Sequence, residues 1–260
     1  MPTIVSQAAS TTPNILLLGG TTQASALAEA LAARGLRATL SYAGRTAHPK
    51  PQPIPVRVGG FGGVKGLAAY LQRERVTHLI DATHPFAATM RRNAVLAAAE
   101  TGTAHIVLTR PPWRAVEGDR WRHVADIPAA VDALSGPPQR VMLALGRMHV
   151  DAFAAQPHHA YLLRFVDLPE TLPDLPRHVL VVDRGPFDPA SDVALLQTHA
   201  IDLLVCKNAG GSGASAKLIA ARTLGLPVLM IDRPPVSAAA EVYDVATALR
   251  WLGHAADLGV

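Results

Sequence analysis

The stretch Leu16-Leu17-Leu18-Gly19-Gly20-Thr21-Thr22 constrains this chain more than any other. An apolar run stops at two glycines. A helical pattern then takes over, with Ala24, Leu27, Ala28 and Leu31 on one face. A strand this uniformly apolar is buried on both faces, as strands are in parallel sheets flanked by helices.

The same order repeats along the chain. Residues 14–19, 37–42, 56–58, 78–81 and 105–108 read as strands, with helices over 23–34, from 63 to about 75, and from Pro85 to about Thr101. The texture breaks at Ser135-Gly136-Pro137-Pro138 and the alternation restarts. Strands are expected at 141–145, 160–164, 178–183, 202–206 and 227–231, and helices at 147–155, 189–199, 214–224 and the C-terminal end. Parallel strands need crossovers, and helices supply them. The reading is α/β, with two Rossmann-like domains, parallel sheets and an active site in the cleft between them. One long sheet is the alternative. Residues 1–13 are expected to be a loose, disordered tail, residues 14–136 a nucleotide-binding domain and residues 137–260 a substrate-binding domain. No low-complexity segment or short repeat stands out.

Composition narrows the classes. Apolar residues make up 49% of the 260 and charged residues 17%, which suits a compact globular protein. The net charge of +4 is spread out, with no basic tract interleaved with aromatics, so nucleic acid is not an expected partner. No apolar stretch is long enough to span a membrane. Residues 1–13 lack the pattern of a signal peptide, so a cytoplasmic protein is expected. The one cysteine, Cys206, lies in an apolar strand and reads as a buried thiol; no metal-ligand spacing occurs, and no metal site is expected.

In an open parallel sheet, ligands sit outside the carboxyl ends of the strands. Gly19, Gly20, Thr21 and Thr22 occupy such an end, where a helix N-terminus offers N–H groups and partial positive charge to a phosphate or pyrophosphate. The full GxGxxG pattern is absent. After the second strand, Ser41, Gly44 and Arg45 stand where an NAD site carries an acid; a guanidinium there favours the 2′-phosphate of NADP. Gly60, Phe61 and Gly62 lie in a glycine-dense turn where Phe61 could pack on a flat ring. Asp81, Thr83 and His84 end the 78–81 strand; His84 serves either as a proton donor or ligand contact, or as a cap on the helix that Pro85 opens. In the second half, Lys207, Asn208, Gly210, Gly211, Ser212 and Lys217 form an anion site at another strand–helix turn. The GxxxxGK[ST] order is missing, which rejects an ATPase. Arg184, Arg147, Arg110 and Arg114 lie at or just beyond strand ends and add cationic character.

Taken in order and spacing, these motifs resemble the precorrin-6A reductase family of cobalamin biosynthesis. The resemblance rests on Gly19-Gly20-Thr21, Ser41-Tyr42-Ala43-Gly44-Arg45, Gly59-Gly60-Phe61-Gly62-Gly63, Asp81-Ala82-Thr83-His84-Pro85-Phe86-Ala87, Arg110-Pro111-Pro112-Trp113 and Lys207-Asn208-Ala209-Gly210-Gly211. It spans nearly the whole chain after residue 13. Gln23 stands where the family pattern has glutamate, and Ala209 where serine is common. The resemblance implies hydride transfer from NADPH to a double bond of precorrin-6A, giving precorrin-6B. The partner it implies is a tetrapyrrole rich in carboxylates, with handover to neighbouring pathway enzymes. It places Gly19, Gly20, Thr21 and Thr22 at the pyrophosphate and Arg45 at the 2′-phosphate. Gly60 to Gly62, Thr83 and His84 fall near the nicotinamide or its ribose. Lys207, Asn208, Gly210, Gly211, Ser212, Lys217 and Arg184 hold substrate carboxylates, and His84 is the candidate catalytic group. The rival readings are a reductase of another anionic small molecule and a non-catalytic NADP sensor.

Overall fold

The computed structural model describes residues 12–44, 51–185, 187–235 and 239–257. They form two units, one of residues 1–110 with 235–260 and one of residues 111–234.

In the first unit β1 (Asn14–Leu18), β2 (Arg37–Tyr42), β3 (Val56–Val58), β4 (His78–Asp81), β5 (Ala104–Leu108) and β12 (Glu241–Val242) form one sheet in the order β12-β5-β4-β1-β2-β3. Every pair is parallel. Helices α1 (Thr22–Ala33), α2 (Gly63–Arg73), α3 (Ala88–Thr101) and α7 (Val245–Asp257) cover it. The apolar run of β1 explains itself. Ile15 and Leu17 pack with Leu27, Leu31 and Leu252 on one face, while Leu16 and Leu18 pack with Leu67, Leu71 and Ala94 on the other.

The second unit repeats the plan. Strands β6 (Arg120–Val124), β7 (Arg140–Ala144), β8 (Ala160–Phe165), β9 (His178–Val182), β10 (Leu203–Lys207) and β11 (Pro227–Ile231) run β6-β11-β10-β7-β8-β9, again all parallel. Helices α4 (Ile127–Asp132), α5 (Pro189–Thr198) and α6 (Ala216–Thr223) accompany it. Met142, Leu204, Cys206 and Met230 pack against Leu196, Leu218 and Ala221. Among the described residues, no helix is long and apolar enough to cross a membrane.

Both sheets change direction once. The first runs outward from β1 to β2 and β3, then returns to place β4 on the other side of β1; the second does the same about β7 and β10. Such a switch point opens a crevice at the carboxyl ends of the two diverging strands.

Three expectations need correction. The domain boundary lies at Arg110–Pro111, not near 136. The turn Ser135-Gly136-Pro137-Pro138 joins α4 to β7 inside the second unit. The preceding strand β6 pairs with β11 and so belongs there too, while β12 and α7 return to the first unit. Residues 147–155 form two short 3₁₀ turns instead of an α-helix. The helix after His84 begins at Ala88, three residues beyond Pro85.

Burial pushes the Cys206 thiol up to about 11 from an ordinary value of 9.0. An acid whose folded pKa is raised keeps its proton after the unfolded chain has lost it, so stability falls as pH rises from 9 toward 11. The loss by pH 11 is on the order of 2–3 kcal/mol. Urea midpoints measured from pH 8 to 10.5 under reducing conditions should fall more steeply for the wild type than for Cys206→Ala.

Candidate functional site

At the carboxyl end of β1, Gly19 and Gly20 do different work. A Cβ at Gly19 would lie 2.6 Å from Leu40 Cδ1, so this glycine lets β1 pack against β2. Gly20 has φ +126°, and nothing lies within 4 Å of where its Cβ would project. That is backbone a ligand can approach. Thr21 caps α1. Its Oγ1 accepts from Ala24 N at 3.2 Å and donates to the Ala82 carbonyl at 2.8 Å, tying the ends of β1 and β4 together. Its hydroxyl is thus a structural clamp. The next N–H groups, of Thr22 and Gln23, have no intrahelical acceptor and sit at the positive end of the helix. The exposed Thr22 hydroxyl donates to Gln23 Oε1 at 3.1 Å, which also accepts from Arg110 Nη1 at 3.2 Å. Burial lowers the Arg110 pKa from its ordinary value.

Beside it, β4 ends in a buried polar knot. Asp81 Oδ1 accepts from Thr83 N at 2.9 Å and Thr83 Oγ1 at 2.6 Å, and its Oδ2 accepts from Arg91 Nε at 3.0 Å. Both side chains of the ion pair are buried. This knot fixes the turn that presents His84. There Nδ1 accepts from Phe86 N at 3.2 Å, which sets the neutral ring as the Nε2–H tautomer, a donor. Thr83 supports the turn through Asp81, and His84 is the half-buried group that follows it.

At the ends of β2 and β3 the organising residue is one the sequence reading missed. Arg57 Nη1 donates to Ser41 Oγ at 2.9 Å and to the Gly59 carbonyl at 2.8 Å, and Nη2 donates to the Gly60 carbonyl at 3.1 Å. Its guanidinium carbon lies 3.9 Å from the centroid of Phe61. Phe61 meets Tyr70 edge-on at 5.1 Å. One face of Phe61 is therefore covered by the protein's own cation. Gly62 precedes α2 directly. Gly44 ends the described part of the loop after β2, and Arg45 lies outside the described residues. Arg57 pairs across the ladder with Ser41, a register that the structure reveals.

In the second unit, β7 and β10 end at the switch point. Lys207, the last residue of β10, donates from Nζ to the Leu145 carbonyl at 3.4 Å. Asn208 is buried. Its Oδ1 accepts from Trp113 N at 2.7 Å and its Nδ2 donates to the Trp113 carbonyl at 3.1 Å. Both ends of the amide thus hold the Trp113 backbone, so Asn208 builds the turn. Trp113 Nε1 donates to the Gly211 carbonyl at 2.8 Å. Gly210 has φ +70°, and a Cβ there would collide with the Pro111 carbonyl. Arg233 donates from Nε to the Asn208 carbonyl at 2.9 Å and from Nη2 to the Ala209 carbonyl at 3.0 Å.

Lys217 is also buried: Nζ donates to the Ala214 carbonyl at 2.5 Å and lies 4.9 Å from the Trp113 ring centroid. In α6 this lysine, expected in the anion site, lies buried beside the Trp113 ring. Ser212 is exposed on the loop, and its carbonyl accepts from Ser215 Oγ at 2.8 Å. Arg184, beyond β9, forms an exposed ion pair with Asp167 at 2.5 Å. The switch point thus brings Lys207, Gly210, Gly211 and Ser212 into one loop, with Arg184 at the far side of the sheet.

Replacing Asn208 by alanine strands the Trp113 N–H and carbonyl. A loss of about 2–4 kcal/mol follows from two unsatisfied, partly buried groups. Urea denaturation should show it as a lower midpoint.

Comparison with known proteins agrees with this geometry. The family model "Precorrin-6x reductase CbiJ/CobK" matches residues 14–253. A precorrin-6A reductase of Rhodobacter capsulatus is 55% identical over 238 residues, covering 92% of this chain and 95% of that protein. A solved CobK precorrin-6A reductase superposes with a TM-score of 0.89 at 54% identity, over 93% of this chain and 96% of the other. A cobalt-precorrin-6A reductase of Priestia megaterium is 29% identical over 233 residues, covering 85% of this chain and 91% of that protein.

Proposed function

Because the chain belongs to the precorrin-6x reductase family, we propose that it reduces precorrin-6A in cobalamin biosynthesis with a hydride from NADPH. It is an oxidoreductase. Identity to the precorrin-6A reductase from R. capsulatus, at 55%, far exceeds the 29% to the cobalt-precorrin enzyme, which favours the metal-free macrocycle as substrate. A cytoplasmic location is part of the same reading.

One observation carries the cofactor reading: the open backbone at Gly20 with φ +126°, set beside the unsatisfied N–H groups of Thr22 and Gln23. A pyrophosphate fits such a place because it needs close backbone approach and donors, not side chains. NADPH, when bound, supplies the hydride. The residues of the chain supply the rest. Gly19, Gly20 and Thr22 hold the pyrophosphate, with Thr21 keeping the turn in shape. The Gly60–Gly62 loop and the Thr83–His84 turn bracket the dinucleotide. The His84 Nε2–H is a donor toward the reacting end. In the second unit, the Lys207 ammonium and the backbone of Gly210, Gly211 and Ser212 hold carboxylates of the macrocycle. A protonated, conjugated ring is its own electrophile, so rate comes mainly from positioning.

Purified protein mixed with precorrin-6A and NADPH should lose nicotinamide absorbance. Lys207→Ala should raise KM for the macrocycle by roughly 10- to 100-fold, the worth of one charge-assisted hydrogen bond, and leave NADPH binding unchanged. Tight NADPH binding with no turnover on either the metal-free or the cobalt substrate would point to the sensor reading instead.

A further inference from the structure

Resting on the NADPH reading above, we propose that Arg57 reads the cofactor's 2′-phosphate, together with the hydroxyl of Ser41. In a doubly wound sheet the end of the second strand faces the ribose that distinguishes NADP from NAD. Ser41 lies on β2 near that end, and Arg57 is its ladder partner on β3. A guanidinium has five N–H donors. Three of those on Arg57 are committed, two from Nη1 and one from Nη2. Two remain, on Nε and Nη2. A guanidinium offers such donors to phosphate oxygens as charge-assisted hydrogen bonds.

The partners already present do not cancel the charge. Arg57 is held by two carbonyls, a hydroxyl and an aromatic face, and no carboxylate pairs with it among the described residues. Other arginines of the chain contrast with it. Arg91 and Arg164 pair with buried carboxylates, Asp81 and Asp192, and are neutralised there. Ser41 Oγ accepts from Arg57, which orients its hydroxyl and leaves the proton to donate. Two guanidinium donors and one hydroxyl thus converge from adjacent strands. Stacking on Phe61 fixes the plane of the guanidinium before any ligand arrives, so little ordering remains at binding.

The structural alternative is that Arg57 only clamps the Gly59–Gly60 turn. The two roles differ in one readout. A clamp affects NADP⁺ and NAD⁺ alike, whereas a 2′-phosphate reader affects NADP⁺ alone. Titration calorimetry with NADP⁺, NAD⁺, 2′,5′-ADP and 5′-ADP, on wild type, Arg57→Gln, Arg57→Lys and Arg45→Gln, separates them. In Arg57→Gln, affinity for NADP⁺ and 2′,5′-ADP should fall roughly 10- to 100-fold while NAD⁺ and 5′-ADP stay within about threefold. Arg57→Lys keeps the charge without the fork and should fall between. Equal losses for all four ligands, or a full loss of discrimination in Arg45→Gln with none in Arg57→Gln, overturns the assignment. A wild type that binds none of the four overturns the NADPH reading itself, and the assignment with it. Wild-type discrimination that persists intact in Arg57→Gln overturns the assignment alone.

Discussion

All the strand pairs in the two sheets are parallel, and much of the rest follows from that. A parallel sheet needs a crossover after each strand, and the crossovers bury both faces under helices. β1 after its first residue and β10 before its last therefore carry no charged or amide side chains, as the runs Ile15 to Leu18 and Leu204 to Cys206 show. Polar chemistry is driven to the carboxyl edges, and the single reversal of each sheet selects one gap along that edge. Thr21 makes the first gap rigid by bonding the carbonyl that follows β4. Lys207 reaches across the second to the carbonyl that follows β7.

That logic made the core and the glycine turns legible from sequence. The strands buried on both faces, β1, β4, β7, β10 and β11, read as apolar runs. β6 did not. As an edge strand it exposes Arg120, Arg122 and His123 and looks like a loop. β12 has two residues, too few for any period. The domain boundary was misplaced for a related reason: Ser135-Gly136-Pro137-Pro138 has the composition of a linker, yet it closes a turn within one unit. The true crossings carry a signal of their own. The strand next to the edge of each sheet, β5 and β11, is followed by Arg-Pro-Pro, at Arg110-Pro111-Pro112 and Arg233-Pro234-Pro235. Proline cannot donate to a ladder, so each strand stops there, and the chain leaves to supply the sixth strand of the other unit. Each arginine also braces the loop it leaves, Arg110 at Gln23 and Arg233 at Asn208 and Ala209.

The candidate site was legible as a set of turns, not as a set of roles. Motif spacing found Thr21, Thr83, Asn208 and Lys217, because residues that build a turn are as constrained as those that bind at it. Whether a side chain points outward depends on contacts made far along the chain. Asn208 is turned to Trp113 and Lys217 beneath the same ring. No local pattern contains that information. Arg57 is the converse case. It sits in a three-residue strand just ahead of the Gly59–Gly63 turn, and the register with Ser41 gives it a place.

What distinguishes building cations from binding cations is the chemistry of their partners. Arg91 and Arg164 face carboxylates in the interior, where an unpaired charge would be costly to bury. At the end of β3 the partners of Arg57 are the Gly59 and Gly60 carbonyls and the Ser41 hydroxyl. A carbonyl dipole aims a cation without cancelling its charge. The carboxyl edge of the first sheet therefore holds an oriented positive group whose field extends to an anionic ligand.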